Sequence, residues 1–200
     1  MNHELGTISH SLSHLLAEVR RCDECAAQLP NAPKPILRAS STARLLIVGQ
    51  APGTKVHATG IPWNAPSGHR LREWLELDRT LFYDETQIAI IPMGFCYPGK
   101  GKSGDLPPRS ECAPRWHPLL LQHLPHLQLK LLIGQYAQRY YLSSNQNLTE
   151  TVRNWQNYLP HCLPLPHPSP RNQLWLQRNP WFATEVIPAL RQRVKEVFTV

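Results

Sequence analysis

The sequence predicts an α/β fold with helices packed around a central parallel sheet, and three observations carry that prediction. Four short, nearly all-apolar runs recur along the chain, as strands buried on both faces do: ARLLIV (43–48), QIAIIP (87–92), LKLLIG (129–134) and CLPLP (162–166). Segments with apolar residues at helical spacing lie between the runs, and that alternation is the signature of a parallel sheet with crossover helices. A stretch rich in glycine, proline and polar residues follows each run. In an open α/β sheet, ligands bind just there, beyond the carboxyl ends of the strands.

The elements follow in order. ISHSLSHLLAEVRRC (8–22) sets Leu12, Leu15, Leu16 and Val19 on one helical face. ARLLIV is the first strand. GHRLREWLEL (68–77) is a helix before the second strand, QIAIIP. RWHPLLLQHL (115–124) is a further helix, with Pro118 expected in a first turn or at a break. LKLLIG is the third strand, and YAQRYYLS (136–143) the helix after it. CLPLP is the last strand; its prolines cost ladder donors and suit a sheet edge. WFATEVIPALRQRVKEVF (181–198) is an amphipathic terminal helix, bent or broken near Pro188.

Composition limits the partners. The chain has 200 residues, 42% hydrophobic and 18% charged, which suits a single domain over 1–200 that buries a real core. No run approaches the ~18 apolar residues of a membrane span, so no membrane partner is expected. The first ten residues, MNHELGTISH, are polar, which argues against a secretory signal and for a cytoplasmic protein; a monomer is expected. A net charge of +7 favours a polyanionic partner without deciding which. The twenty prolines gather in segments such as PNAPKP and PLPHPSP, which read as stiff connections rather than disorder.

Two strand-end loops stand out. GQAPG, Gly49 to Gly53, follows the first strand, and its glycines let backbone N–H groups approach a flat or anionic ligand. Alone, it reads equally well as an ordinary tight turn. It is neither a P-loop, since no GK[ST] follows, nor a GxGxxG fingerprint. HPSPRN follows the last strand. His167 is held there between Pro166 and Pro168, with Ser169, Arg171 and Asn172 beside it.

Together these residues resemble the uracil-DNA glycosylase superfamily, over roughly residues 20 to 185. Its members carry a GQDP- or GEAPG-like loop after the first strand, an aromatic shortly downstream and an HPSP-like loop after the last strand. Here these are Gly49–Gly53, Trp63 within GIPWNAPSG, and His167–Asn172. The first loop and GIPW…SGHRLREWL resemble the iron–sulfur, thermophile-type (family 4) enzymes. HPSPRN resembles the single-strand-selective monofunctional uracil glycosylases. The resemblance implies a three-layer α/β/α sandwich on a four-stranded parallel sheet. It implies a monofunctional DNA glycosylase acting on single- or double-stranded DNA, which flips out uracil or a related damaged base and leaves an abasic site. Gly49, Gln50, Ala51 and Trp63 would bind the base, with Trp63 stacking on it. His167 would hold the negative charge of the departing base, and Gln50 would orient water. Ser67, Lys100, Lys102, Ser169, Arg171 and Asn172 would contact DNA, with Arg171 filling the gap or gripping phosphate. Arg70, Arg72 and Arg109 are further cations of that edge.

Two positions depart from the pattern. The first loop has Gln50 and Ala51 where members often carry an acid or Asn. Pro92 stands four residues before Cys96, where the iron–sulfur enzymes carry an Asn that reads the uracil edge. These departures keep a second reading open, a non-catalytic or altered-specificity member that binds damaged DNA or a free base. A third class, a small-molecule nucleotide hydrolase, would act on free nucleosides. Asp105 and His57 are the remaining polar groups that could reach the pocket.

The cysteines form a pattern of their own. Cys22 and Cys25 make a C-x2-C pair, and Cys96 and Cys112 are separated by fifteen residues. The family 4 resemblance implies that these four ligate a [4Fe–4S] cluster. Four thiolates suit zinc as well, and unmetallated reduced thiols are the remaining alternative. Cys162, at the start of the last strand, reads as buried and inert.

Overall fold

A computed structural model describes residues 11–199. Its strands are β1 (Leu45–Val48), β2 (Ile88–Ile90), β3 (Lys100–Gly101), β4 (Gly104–Asp105), β5 (Leu129–Ile133) and β6 (Cys162–Leu165). Its helices are α1 (Leu12–Arg20), α2 (Thr54–Thr59), α3 (Pro66–Leu75), α4 (Arg79–Phe82), α5 (Cys112–Gln122), α6 (Gln135–Leu142), α7 (Leu148–Arg153), α8 (Gln173–Arg178) and α9 (Ile187–Thr199). The main sheet has the order β2-β1-β5-β6, with every pair parallel. The small β3–β4 hairpin is antiparallel and stands apart from it.

The pleat divides the apolar residues of each strand between two cores. Leu46 and Val48 of β1 face a cluster built from α1, α5 and α6, with Leu15, Leu16, Val19, Trp116 and Leu120. Leu45 and Ile47 face the opposite cluster, built from α3, α7 and α9, with Leu71, Leu75, Val152, Leu190 and Val194. Helices therefore cover both faces of a four-stranded parallel sheet, as the alternation of runs predicts. All four residues of β1 are buried, which is why its sequence shows no polar alternation.

The proline-bearing elements divide in two. β6 lies at the sheet edge, where Pro164 costs no ladder bond to a further strand. The C-terminal segment is helical without a break from Trp181 through a π-helical stretch, Phe182–Val186, into α9, whose second residue is Pro188; the helix does not break at the proline as expected, and the wider π turn lies directly before it. Pro118 differs from expectation. It sits inside α5, which neither starts nor breaks there. Burial of Trp116, His117 and Leu120 on either side holds the helix through the proline, a case of packing overriding local preference.

Candidate active site

The loop after β1 is fastened to the loop after β2. Gly49 O accepts from Met93 N and Gln50 O accepts from Gly94 N, both at 2.9 Å. This uses the first two carbonyls of GQAPG and fixes the loop at the carboxyl end of the sheet. Gly53 then caps α2, and the chain returns through Pro62 and Trp63. Trp63 has φ 56°, a left-handed conformation that a bulky side chain adopts at a cost. Two contacts hold it there. Tyr83 Oη donates to Pro62 O at 2.9 Å. Gly68 lets α3 pass against the Trp63 carbonyl so closely that a Cβ on Gly68 would fall 1.7 Å from Trp63 O. The indole lies against Gly49, where a Cβ would meet Cζ2 at 2.8 Å. It stacks on the His167 imidazole, with centroids 5.6 Å apart and 29° between the planes.

His167 leaves the end of β6 in a braced loop. Asn172 Nδ2 donates to His167 O at 2.7 Å. Ser169 Oγ accepts from Arg171 N at 3.2 Å, and Ser169 O accepts from Arg70 Nη1 at 3.3 Å. Burial pushes the imidazole down to about 4 from its usual 6.5, so His167 is neutral at pH 7 and presents one N–H donor.

These parts enclose a pocket of about 340 Å³, a size that suits a small ring system. The four expected base-binding residues, Gly49, Gln50, Ala51 and Trp63, all line it, and so does His167. Of the expected DNA-binding residues, Ser67, Ser169 and Arg171 line it too. A family model described as Uracil DNA glycosylase superfamily matches residues 38–191. The chain belongs to the uracil DNA glycosylase superfamily. Superfamily members are in general DNA glycosylases, hydrolases that act on DNA.

Several residues stand elsewhere than a glycosylase reading of the sequence expects. Asn172 does not line the pocket; its amide is spent on bracing His167. Lys100 and Lys102 are exposed on the β3–β4 hairpin, outside the pocket lining. Arg70 braces the HPSPRN loop. Arg72 lies over the rings of Phe82 and Tyr83. Arg109 pairs with Glu111 at 2.7 Å and reaches Cys25. Arg171 donates to Ser103 O at 2.9 Å, tying the last loop to the hairpin. Gln50 Nε2 donates to Leu106 O at 3.2 Å, which commits part of the amide expected to orient water. Lys55 also lines the pocket. Only its place just after GQAPG, at the start of α2, marks it in the sequence. Of the two further polar candidates, Asp105 lines the pocket and His57 does not.

Pro92, four residues before Cys96, is buried and lines the same pocket. The wall there offers apolar surface and no side-chain amide. Behind it lies a buried histidine. His117 Nε2 stands 3.0 Å from Pro92 O and Nδ1 2.7 Å from Tyr141 Oη. A carbonyl only accepts, so Nε2 carries the proton and Nδ1 accepts from the tyrosine. Burial pushes His117 down to about 4 as well.

Both buried imidazoles take up a proton at lower pH in the folded protein than in the unfolded chain. Their folded values lie below the usual 6.5, so their contribution to stability is complete above pH 6.5 and is lost as pH falls towards 4. Denaturant midpoints at stepped pH should fall through that window, with up to about two extra protons taken up on unfolding. His117→Phe should flatten the slope.

The four paired cysteines converge. Cys22, Cys25, Cys96 and Cys112 line one cavity of about 20 Å³, together with Phe95 and Arg109. Burial pushes the Cys112 thiol up to about 11, with the neighbouring thiols adding to it. Among the described residues, no group of three or more His, Cys, Asp or Glu side chains has the arrangement to hold one metal ion. Cys162 is half-buried beside Lys130, not fully buried as expected. No described helix is long and apolar enough to cross a membrane.

Proposed function

We propose that this protein is a monofunctional DNA glycosylase that accepts a flipped-out uracil or related damaged base and hydrolyses its glycosidic bond, leaving an abasic site. The observation that carries this reading is the meeting of GQAPG, Trp63 and His167 around one 340 Å³ pocket at the carboxyl ends of the strands. A base entering it would lie against the Trp63 and Pro92 walls. Because the carbonyls of Gly49 and Gln50 are already bonded, the loop would offer the base its amide N–H groups. As the C1′–N bond breaks, its electron pair leaves with the base, and the neutral His167 N–H would donate to that anion. Ser169, Arg171 and Lys55, which line the pocket, would meet the phosphates on either side of the flipped nucleotide.

Pro92 favours a second reading, altered base specificity, because it replaces an amide that could pair with the uracil edge. One assay separates the readings. The purified protein is incubated with single- and double-stranded oligonucleotides carrying uracil, hypoxanthine, xanthine or an oxidised pyrimidine, and abasic sites are cleaved with alkali. Cleavage at uracil or another of these bases supports the glycosylase reading, cleavage only at a base other than uracil shows the altered specificity, and no cleavage beside retained DNA binding marks a non-catalytic member. Release of base from free nucleosides and not from DNA would point to a small-molecule hydrolase instead.

We also propose that Cys22, Cys25, Cys96 and Cys112 hold a [4Fe–4S] cluster. The donor set fits, being four thiols around one cavity. Four thiolates would suit a single zinc as well. The group would be structural, joining the segment after α1 to the loop after β2 and the start of α5. Anaerobically purified protein is expected to be brown and to contain close to four irons per chain. One zinc per chain would replace the cluster with a single ion, and neither metal would end the proposal.

A further inference from the structure

We propose that Asp105 is a catalytic residue, the carboxylate that receives the proton of the attacking water in the glycosylase reaction; the inference rests on the glycosylase reading above. Among the described residues, Asp105 is the only acidic side chain that lines the pocket. It comes from the β3–β4 hairpin and not from the first loop, where Gln50 and Ala51 offer no acid. Its carboxylate hangs over that loop nonetheless, since a Cβ on Gly53 would stand 3.2 Å from Oδ2.

The hairpin is fastened on both sides of Asp105 to the two motifs that build the pocket. Arg171 of the HPSPRN loop donates to Ser103 O at 2.9 Å, and its guanidinium lies so close over Gly104 that a Cβ there would meet Nη1 at 2.3 Å. Gln50 of GQAPG donates to Leu106 O at 3.2 Å. Within the hairpin, Asp105 is in register with Lys100, and Leu106 N donates to Gly99 O at 2.8 Å. A side chain whose neighbours are pinned at residues 103 and 106 is held in place over the cavity. Its carboxylate makes no hydrogen bond or ion pair with the described residues, so both oxygens are open to a ligand.

The charge itself is informative. A carboxylate at the mouth of a pocket that receives DNA repels phosphate and weakens binding. Its use is therefore to be sought in the reaction. A base seated in the pocket leaves its sugar at the mouth, where Asp105 is exposed. The C1′–N bond breaks with its electrons going to the base, which His167 holds as an anion, and C1′ becomes cationic. Asp105 stabilises that cation and accepts one proton from the water whose oxygen bonds to C1′. That proton passes to solvent, and the released base takes one from solvent. The products are the free base and the abasic sugar hydroxyl, and no other reactant is consumed.

The test is single-turnover excision by wild type, Asp105→Asn and Asp105→Glu on the base that wild type removes best. Melting temperature and affinity for abasic-site DNA are measured alongside. Loss of a positioned general base costs roughly 10²–10⁴-fold. Asp105→Asn is expected to lose at least a hundredfold in rate, with melting unchanged and abasic DNA bound at least as tightly, and Asp105→Glu to recover part of the rate. An Asn variant within about threefold of wild type overturns the assignment and leaves the glycosylase reading standing. So does a rate loss that merely follows lost binding or lowered melting. A wild type that excises no base from any substrate removes the glycosylase reading, and this role with it.

Discussion

His167→Ala should cut single-turnover excision about a hundredfold or more while leaving the affinity for abasic-site DNA nearly intact. The reason lies in when the histidine acts. Its N–H meets a neutral base in the ground state and an anion in the transition state, and only an interaction that strengthens along the reaction raises the rate. Removing one such preorganised donor typically costs ~3 kcal/mol. The donor is preorganised here because Asn172 holds the His167 carbonyl at 2.7 Å and Trp63 stacks on the ring. It is also neutral through the physiological range, being pushed down to about 4 by burial. Excision should therefore not need a protonated imidazole and should not fall as pH rises through 6.5. Gln50→Ala should cost less, since its amide already spends one donor on Leu106. A His167→Ala enzyme that excises at the wild-type rate would assign the histidine to structure alone.

Gly68→Ala is expected to lower stability by about 3 kcal/mol, although Gly68 lies within α3. In an ordinary helical position that exchange gains up to ~1 kcal/mol, because alanine is the better helix former. The sign is thus diagnostic. Here the new methyl would land 1.7 Å from Trp63 O, a backbone atom of a residue already in the left-handed region. Either α3 moves off the Trp63 turn or the turn opens, and each repositions the indole that stacks on His167. For a chain of this size the loss corresponds to a melting temperature lower by roughly 6–12 °C. Excision should fall with it even below the melting range. Ser67→Ala, one residue earlier, is the control and should melt within about 2 °C of wild type. A Gly68→Ala protein more stable than wild type would show that the close approach is not there.

How much of this was legible in the sequence depends on the range of the interaction that decides each feature. The four strands, their parallel packing and the edge place of β6 were readable, because a strand buried on both faces has to be written as an unbroken apolar run and prolines are expelled to an edge. The pocket motifs were readable for a related reason. A ligand site at strand ends needs its glycines, aromatic and histidine immediately after strands, so GQAPG, Trp63 and His167 are marked by position. Local rules failed at Pro118, where the packing of Trp116 and Leu120 carries α5 through a residue that would end an isolated helix.

The polar groups were the least legible. Arg70, Arg109, Arg171, Asn172 and Gln50 look alike in sequence, as cations or amides near strand ends. Three of them find partners far along the chain, Arg70 with Ser169, Arg171 with Ser103 and Gln50 with Leu106. A hydrogen bond between distant segments leaves no periodicity to read. By itself, then, the amino-acid sequence determined the sheet, its two apolar cores and the strand-end loops, because burial is written residue by residue in hydrophobicity. Only the tertiary structure decided which polar side chains brace the site and which face the cavity. That choice, with Asp105 turned towards the pocket and Arg171 towards the backbone of the β3–β4 hairpin, depends on angstrom-scale approach between loops that the chain order keeps apart.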